Sequence, residues 1–199
     1  MRSLARLAGR FGLLAILGIS LAGCGVNSIP SQEEAAKAKW SQVLNQYQRR
    51  ADLIPNLVET VKGYAKQEAQ VLEAVVAARA RATSVQVPPD ILTNPEAFKK
   101  FQEAQSQLSG SLGRLLAISE NYPDLKSNQN FLALQSQLEG TENRISVARR
   151  DYIEAVQAYN TELKTFPGVI WASTLYKGNK PMETFTIAEE TKRPPQVKF

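Results

Sequence analysis

The chain has 199 residues, with 24 basic and 19 acidic side chains, a single cysteine and no histidine. Without histidine, Ser-His and Cys-His nucleophile pairs, histidine-containing metal centres and histidine proton transfer near neutral pH are excluded. One cysteine cannot form an intramolecular disulfide, so packing must supply the stability.

Residues 1–23 have the features of a secretory signal peptide. Three arginines and no acid precede an apolar run from Phe11 to Leu21, and Leu-Ala-Gly then precedes Cys24. The run is shorter than the roughly 20 apolar residues that a membrane-spanning helix needs, although an uncleaved membrane anchor is the alternative. Small residues before a cysteine are typical of the lipobox of bacterial lipoproteins. We therefore predict cleavage after residue 23 and lipidation of Cys24.

Removal of the leader leaves 21 basic and 19 acidic residues, a net charge of +2. A nearly neutral domain has no overall basic footprint, and we expect no nucleic-acid partner. Residues 24–30 are predicted to form a short tether. The helical domain should span residues 31–166, starting with a capping box from Ser31 to Glu34.

Apolar residues spaced by three and four predict helices on both sides of Pro55. Proline cannot donate to the carbonyl of Ala51, so a break is expected there. As an N-cap, Asp52 would place Pro55 in the first turn of a second helix that runs to about Ala82.

Further along, prolines and β-branched residues predict a loop over residues 83–93. Asn94 and Pro95 then cap and start a third helix, whose coiled-coil-like seam includes Gln105 and Ser119. A fourth helix, the longest, is predicted over residues 127–164. Gly140 on it should lie opposite the glycines of the third helix, where small residues would let the helices approach each other or loosen the middle of the third helix.

These elements predict an all-α fold, an elongated antiparallel up-and-down bundle of about four helices. Residues 167–199 should form a C-terminal segment that packs on the bundle through short apolar patches and ends in a frayed tail.

Several motifs resemble the LemA family between about residues 36 and 190. The specific matches are Trp40-Ser41, Arg49-Arg50, Asp52-Leu-Ile-Pro-Asn-Leu-Val-Glu59, Val61-Lys-Gly-Tyr64 and Glu120-Asn-Tyr-Pro123, with scattered matches from Leu125 to Tyr152. Gln67 and Ile153 depart from the pattern, which has histidine and asparagine there. The resemblance implies a membrane-attached antiparallel helical bundle without an established biochemical activity.

Candidate interaction residues are the basic pair Arg49 and Arg50 and the tryptophan Trp171. Adjacent helical residues point in different directions, so one member of each basic pair can face an acid such as Asp52, Glu59 or Glu142 while the other faces solvent. The aromatic residues of the apolar stripes are interpreted as core, and the acids as a solvated helix face.

The leading hypothesis is a non-enzymatic lipoprotein, a helical scaffold or interaction module of the cell envelope. It would be lipid-anchored in the cell membrane or outer membrane, face the periplasm or exterior, and bind an envelope or membrane protein. We expect no cofactor, metal or small-molecule substrate. Two alternatives are a metal-binding or catalytic bundle with core carboxylates and a sensor of anionic membrane surfaces.

Overall fold

The computed structural model describes residues 25–186. The predicted signal peptide, the lipidation site Cys24 and the tail beyond residue 186 lie outside the described residues. Within them, the chain forms a single 3-10 turn, Ile91–Thr93, and six α-helices: α1 Ser28–Tyr64, α2 Ala69–Ser84, α3 Pro95–Ser119, α4 Pro123–Lys126, α5 Gln129–Glu162 and α6 Gly168–Thr174.

The long helices α1 and α5 run antiparallel along their whole length. Ser28 meets Glu162 at one end, Arg50 meets Glu142 in the middle, and the Tyr64 hydroxyl accepts from the Asn128 amide at the other end. Helices α2 and α3 form a second antiparallel pair, since Glu68 bonds Tyr122 and Gln105 reaches the carbonyl of Ala82. The predicted all-α up-and-down bundle is confirmed.

Helix α1 does not break at Pro55, contrary to the prediction. It is a single helix of 37 residues, about 55 Å long, and it exceeds α5 in length. The carbonyl of Ala51, which Pro55 leaves without its helical donor, accepts from Arg79 Nε of α2 at 2.8 Å. Asp52 is not a cap, because its carboxylate accepts from Gln48 one turn earlier at 2.8 Å. The chain turns instead between Tyr64 and Ala69.

The start of α1 also differs from the prediction. It begins at Ser28 and not at Ser31, so residues 28–30 of the expected tether are helical. Gly25 adopts a φ of 111°, which favours glycine, and its carbonyl accepts both the backbone N–H and the hydroxyl of Ser28. The N–H of Ser31, which the expected capping box would have served, donates instead to the carbonyl of Asn27 at 3.1 Å.

Other boundaries follow local sequence signals. The side chain of Asn94 accepts from the N–H of Ala97 at 3.2 Å and starts α3 as predicted. Asn128 caps α5 in the same way through Phe131 N at 3.0 Å, one residue after the predicted start. The predicted loop after α2 includes the 3-10 turn, whose Ile91 and Leu92 are buried.

The glycines of α3 and α5 do not mark a close approach of these helices. A Cβ added at Gly110 or Gly113 would meet no heavy atom within 4 Å, and at Gly140 it would meet only the Arg144 side chain. The expected close contact is therefore wrong, because these positions face outwards.

The interior divides into two hydrophobic clusters. The aromatic core contains rings from α1, α3 and α5 together with Phe185 of the C-terminal segment. The aliphatic core lies towards the α1–α2 turn and consists largely of Leu, Ile, Val and Ala. Arg50 and Gln105 are buried between them.

Residues 168–186 pack along the aromatic core. Phe185 and Met182 are buried, and the Tyr152 hydroxyl donates to the carbonyl of Glu183 at 2.8 Å. Asn160 makes two hydrogen bonds with the backbone of Met182. Within residues 25–186, no helix has both the length and the apolar character of a membrane span.

Candidate functional site

A polar layer formed by Arg50, Gln105, Ser109 and Glu142 separates the two cores. Arg50 is 1 % exposed, and its guanidinium donates to Ser109 Oγ at 2.6 Å and to Glu142 Oε1 at 2.9 Å. Its second terminal nitrogen donates to the side-chain and main-chain oxygens of Gln105, at 2.7 and 3.3 Å. One buried cation thus joins α1, α3 and α5.

The polar layer joins three helices through one arginine. An arginine can satisfy several acceptors at once through its planar fork of donors, which suits a site where three helices meet. Glu142 keeps a side-chain exposure of 41 %, so the ion pair reaches from the interior to the surface. A small pocket of about 300 Å³ opens beside it, lined in part by Tyr47, Ser146 and Arg149. Burial raises the pKa of the Tyr47 phenol, which keeps that group neutral.

The aromatic core surrounds Trp40. Its ring centroid lies 5.3 to 6.0 Å from those of Phe98, Phe101, Tyr152 and Phe185. Such tilted and edge-on contacts are the favourable geometries for aromatic pairs. The guanidinium of Arg149 lies 4.3 Å from the centre of the Phe185 ring and covers it. The C-terminal segment is therefore part of the core.

A side groove of about 590 Å³ runs between α1, the loop that precedes α3 and the C-terminal segment. Its walls come from Leu44, the stretch from Val87 to Thr93, residues 178–180 and Met182. Val87 is 41 % exposed, and Glu33 and Lys37 form an ion pair at the rim. This arrangement of apolar walls with charges at the edge is typical of a surface that binds a protein segment.

The α6 patch is an exposed apolar surface at the end of the bundle where α1 begins. It comprises Phe166, Val169, Ile170 and Leu175, which are between 40 and 80 % exposed. Trp171 of the same helix is half-buried against the aromatic core.

The structure separates the predicted interaction residues. Arg50 lies in the interior and binds the chain's own residues, whereas Arg49 is exposed on the outer face of α1. Trp171 lies near the α6 patch, far from the polar layer. Cys24 directly precedes Gly25, the first described residue.

One sequence signal distinguishes Arg50 from Arg49. Buried residues of α1 recur at alternating intervals of four and three, and position 50 continues that series. The series is Ala36, Trp40, Val43, Tyr47, Arg50, Ile54, Leu57 and Val61. The sequence analysis did not predict which of the two arginines is buried. It missed the side groove, which depends on how a loop and the C-terminal segment fold back.

In the described part of the chain, no three acidic or cysteine side chains gather closely enough to hold a metal ion. The fold and these surfaces define an all-α bundle that has a hydrogen-bonded layer around Arg50 in its interior and a groove and an apolar end on its outer face. The LemA family model matches residues 39–199, and the chain belongs to this family.

Two magnetosome proteins named MamQ, one from Paramagnetospirillum magneticum and one from Magnetospirillum gryphiswaldense, are each 26 % identical over 157 residues, which is 71 % of this chain and 58 % of theirs. A protein named LemA from Metamycoplasma hominis is 27 % identical over 118 residues, 59 % of this chain and 49 % of its own length. The chain thus spans about half to three fifths of these curated relatives.

Proposed function

We propose that this LemA-family protein is a lipid-anchored, non-enzymatic scaffold of the cell envelope. A lipid on Cys24 would hold it to the cell membrane or outer membrane, facing the periplasm or exterior. The side groove would bind a segment of another envelope or membrane protein. The observation that carries the proposal is the contrast between an interior whose buried cation is bound by the chain's own side chains and an open groove with apolar walls on the outside.

The interior favours a scaffold function because its two arginines hold helices together through hydrogen bonds. Arg50 donates hydrogen bonds to Ser109, Gln105 and Glu142. Arg79 donates to the carbonyl of Ala51. These bonds engage the arginines that face the middle of the bundle. Arg49, which is exposed, remains a proposed contact for the partner.

Lipid anchoring is supported by the sequence Leu-Ala-Gly before Cys24 and by the apolar run before it. The family match begins at residue 39 and does not include this segment. Attachment through Cys24 is therefore a property proposed for this chain on its own sequence.

The anchor is tested by replacing Cys24 with serine. We expect the Cys24→Ser protein to lack the added lipid mass and to leave the membrane fraction. The measurements are mass spectrometry of the purified protein and fractionation of cells. An unchanged mass together with an unchanged membrane location would contradict lipidation.

The groove is tested with a photocrosslinking amino acid at Val87, which lines it. The matched control is the same amino acid at Val76, which is also exposed but lies on α2 outside the groove. We expect a specific adduct with one envelope protein from position 87 only. Equal adducts from both positions, or adducts from neither, would count against the groove as a binding surface.

A further inference from the structure

Exposed apolar residues are concentrated at one end of the molecule. Nine large hydrophobic side chains are exposed among residues 25–186, and four of them lie within the ten residues from 166 to 175. Phe166 is 80 % and Leu175 64 % exposed, although large apolar side chains are usually buried. The other five are scattered singly along the chain, which is normal for a protein surface.

The α6 patch lies where the chain enters the bundle. A Cβ on Gly25 would be 3.4 Å from the Pro167 ring and 3.9 Å from the indole nitrogen of Trp171. Cys24 is the preceding residue, and consecutive Cα atoms are only about 3.8 Å apart. A lipid attached to Cys24 would therefore start beside the α6 patch.

The chain segment that carries the patch is basic, and the carboxylate of Glu162, which precedes it, accepts from the Ser28 hydroxyl. Between residues 163 and 182 the chain has three lysines and no acid. These lysines, Lys164, Lys177 and Lys180, are exposed and flank α6 on both sides in the sequence. Lysines next to apolar side chains are the combination that binds the headgroup region of anionic membranes.

We propose that the α6 patch rests on an anionic phospholipid bilayer, with Phe166, Val169, Ile170 and Leu175 among the headgroups and acyl chains and the three lysines beside lipid phosphates. This proposal rests on the lipidation of Cys24 proposed above. The bundle then stands on the membrane at its α6 end, and the α1–α2 turn points away from it.

The size of the patch favours lipid over a second copy of the chain. A stable protein interface buries about 800 Å² on each partner, and a helix of seven residues with its flanks offers less. A bilayer needs no matching shape, and the adjacent acyl anchor would keep the patch in contact with it.

The test uses a unique thiol. The full chain has no cysteine except Cys24, so Ile170→Cys in the lipidated protein gives a single labelling site when Cys24 carries lipid. The matched control is Leu132→Cys, which is equally exposed and lies at the far end of the bundle on α5. Each protein carries an environment-sensitive fluorophore and is placed, one copy per disc, in nanodiscs of phosphatidylglycerol and phosphatidylethanolamine.

We expect the label at position 170 to be several-fold less accessible to an aqueous quencher than the label at position 132, with a blue-shifted emission. Replacing all three lysines with glutamine, or phosphatidylglycerol with phosphatidylcholine, should weaken that protection. Equal quenching at the two positions would overturn the proposal.

Mass spectrometry of the same samples separates the two hypotheses. Lipidated protein with equal quenching refutes the bilayer contact and leaves the anchor intact. If the lipid mass is absent, lipidation is refuted, and Cys24→Ser is then added so that position 170 still carries the only label.

In that protein, protection of the label at position 170 from the quencher would still support the bilayer contact. A label at position 170 that is quenched as strongly as the label at position 132 would overturn the bilayer contact. Protection that appears only with two copies per disc would assign the patch to a second copy and refute the lipid.

Discussion

At the scale of single residues, Arg50 is the side chain that most departs from an ordinary bundle core. It occupies a seam position between Tyr47 and Ile54 where an apolar residue would be expected. Taking a charge out of water is costly unless it is paired and hydrogen-bonded, and Glu142 supplies the opposite charge. The pair fixes the alignment of α1 and α5 at the middle of the bundle.

Removal of Glu142 should therefore be more damaging than removal of a neighbouring acid. Glu142→Ala leaves the Arg50 charge buried without its counter-ion, and we expect a loss of about 3 kcal/mol in the free energy of unfolding. Glu139, which lies one turn earlier and is exposed, is the control. Glu139→Ala should change stability by less than about 0.5 kcal/mol. Urea denaturation of both variants provides the measurement.

A second substitution separates the buried charge from other effects. Adding Arg50→Met to Glu142→Ala removes the unpaired cation and should restore part of the lost stability, because an apolar side chain of similar length can fill the layer. If the double variant is less stable than Glu142→Ala alone, the loss does not come from an unpaired charge.

At the scale of secondary-structure elements, α1 continues through a proline because a neighbouring helix supplies the missing hydrogen bond. Pro55 leaves the carbonyl of Ala51 without its intrahelical donor, and Arg79 of α2 supplies a donor in its place. A buried acceptor that finds a partner loses little stability, so the helix continues through the proline.

We expect Arg79 and Pro55 to be energetically coupled. Arg79→Met should cost about 1 to 3 kcal/mol by leaving the Ala51 carbonyl without a donor. In a Pro55→Ala background the same substitution should cost markedly less, because the new backbone N–H can donate to that carbonyl. The measurement is a double-mutant cycle by chemical denaturation.

The control is Arg81→Met, on the same helix but exposed. It should have a similar small effect in both backgrounds. Equal costs of Arg79→Met with and without Pro55 would show that the bond to Ala51 does not compensate for the proline.

Most of the helices could be predicted because their signals are local. Asn94 with Pro95 starts α3, and the spacing of apolar residues shows the buried face of every long helix. The break assigned to Pro55 was wrong because the compensating donor comes from a residue 28 positions away from its acceptor. No local pattern contains that information.

At the scale of the whole molecule, the two ends differ in composition and in what they expose. The end near Gly25 contains the aromatic core, the side groove and the α6 patch, whereas the far end is aliphatic. Of the patch residues, the sequence predicted Val169 and Ile170 to belong to a short apolar segment lying on the bundle. It could not predict that Phe166 and Leu175 stay exposed, because exposure depends on how α6 seats against α1.

The buried phenols of the aromatic core should make stability depend on pH in the alkaline range. The chain has no histidine, so no histidine titration changes stability near neutral pH. Burial raises the pKa of Tyr47, Tyr152 and Tyr159 above the usual value near 10. The Tyr152 hydroxyl also needs its proton to donate to Glu183.

The direction of this pH dependence follows from the linkage between proton binding and folding. Below pH 10 these phenols are protonated in both states, so their contribution is fully present, and above it the unfolded chain loses its protons first. The free energy of unfolding should therefore fall as pH rises from about 10 towards 12.

Lysines titrate in the same range, so the native protein is compared with Tyr152→Phe, which lacks one phenol. At pH 8 the native protein should be the more stable by about 1 kcal/mol, through the bond to Glu183, and this advantage should shrink or reverse by about pH 11.5. Urea denaturation at each pH measures it, and an advantage that stays constant would show that Tyr152 titrates alike in the folded and unfolded chain.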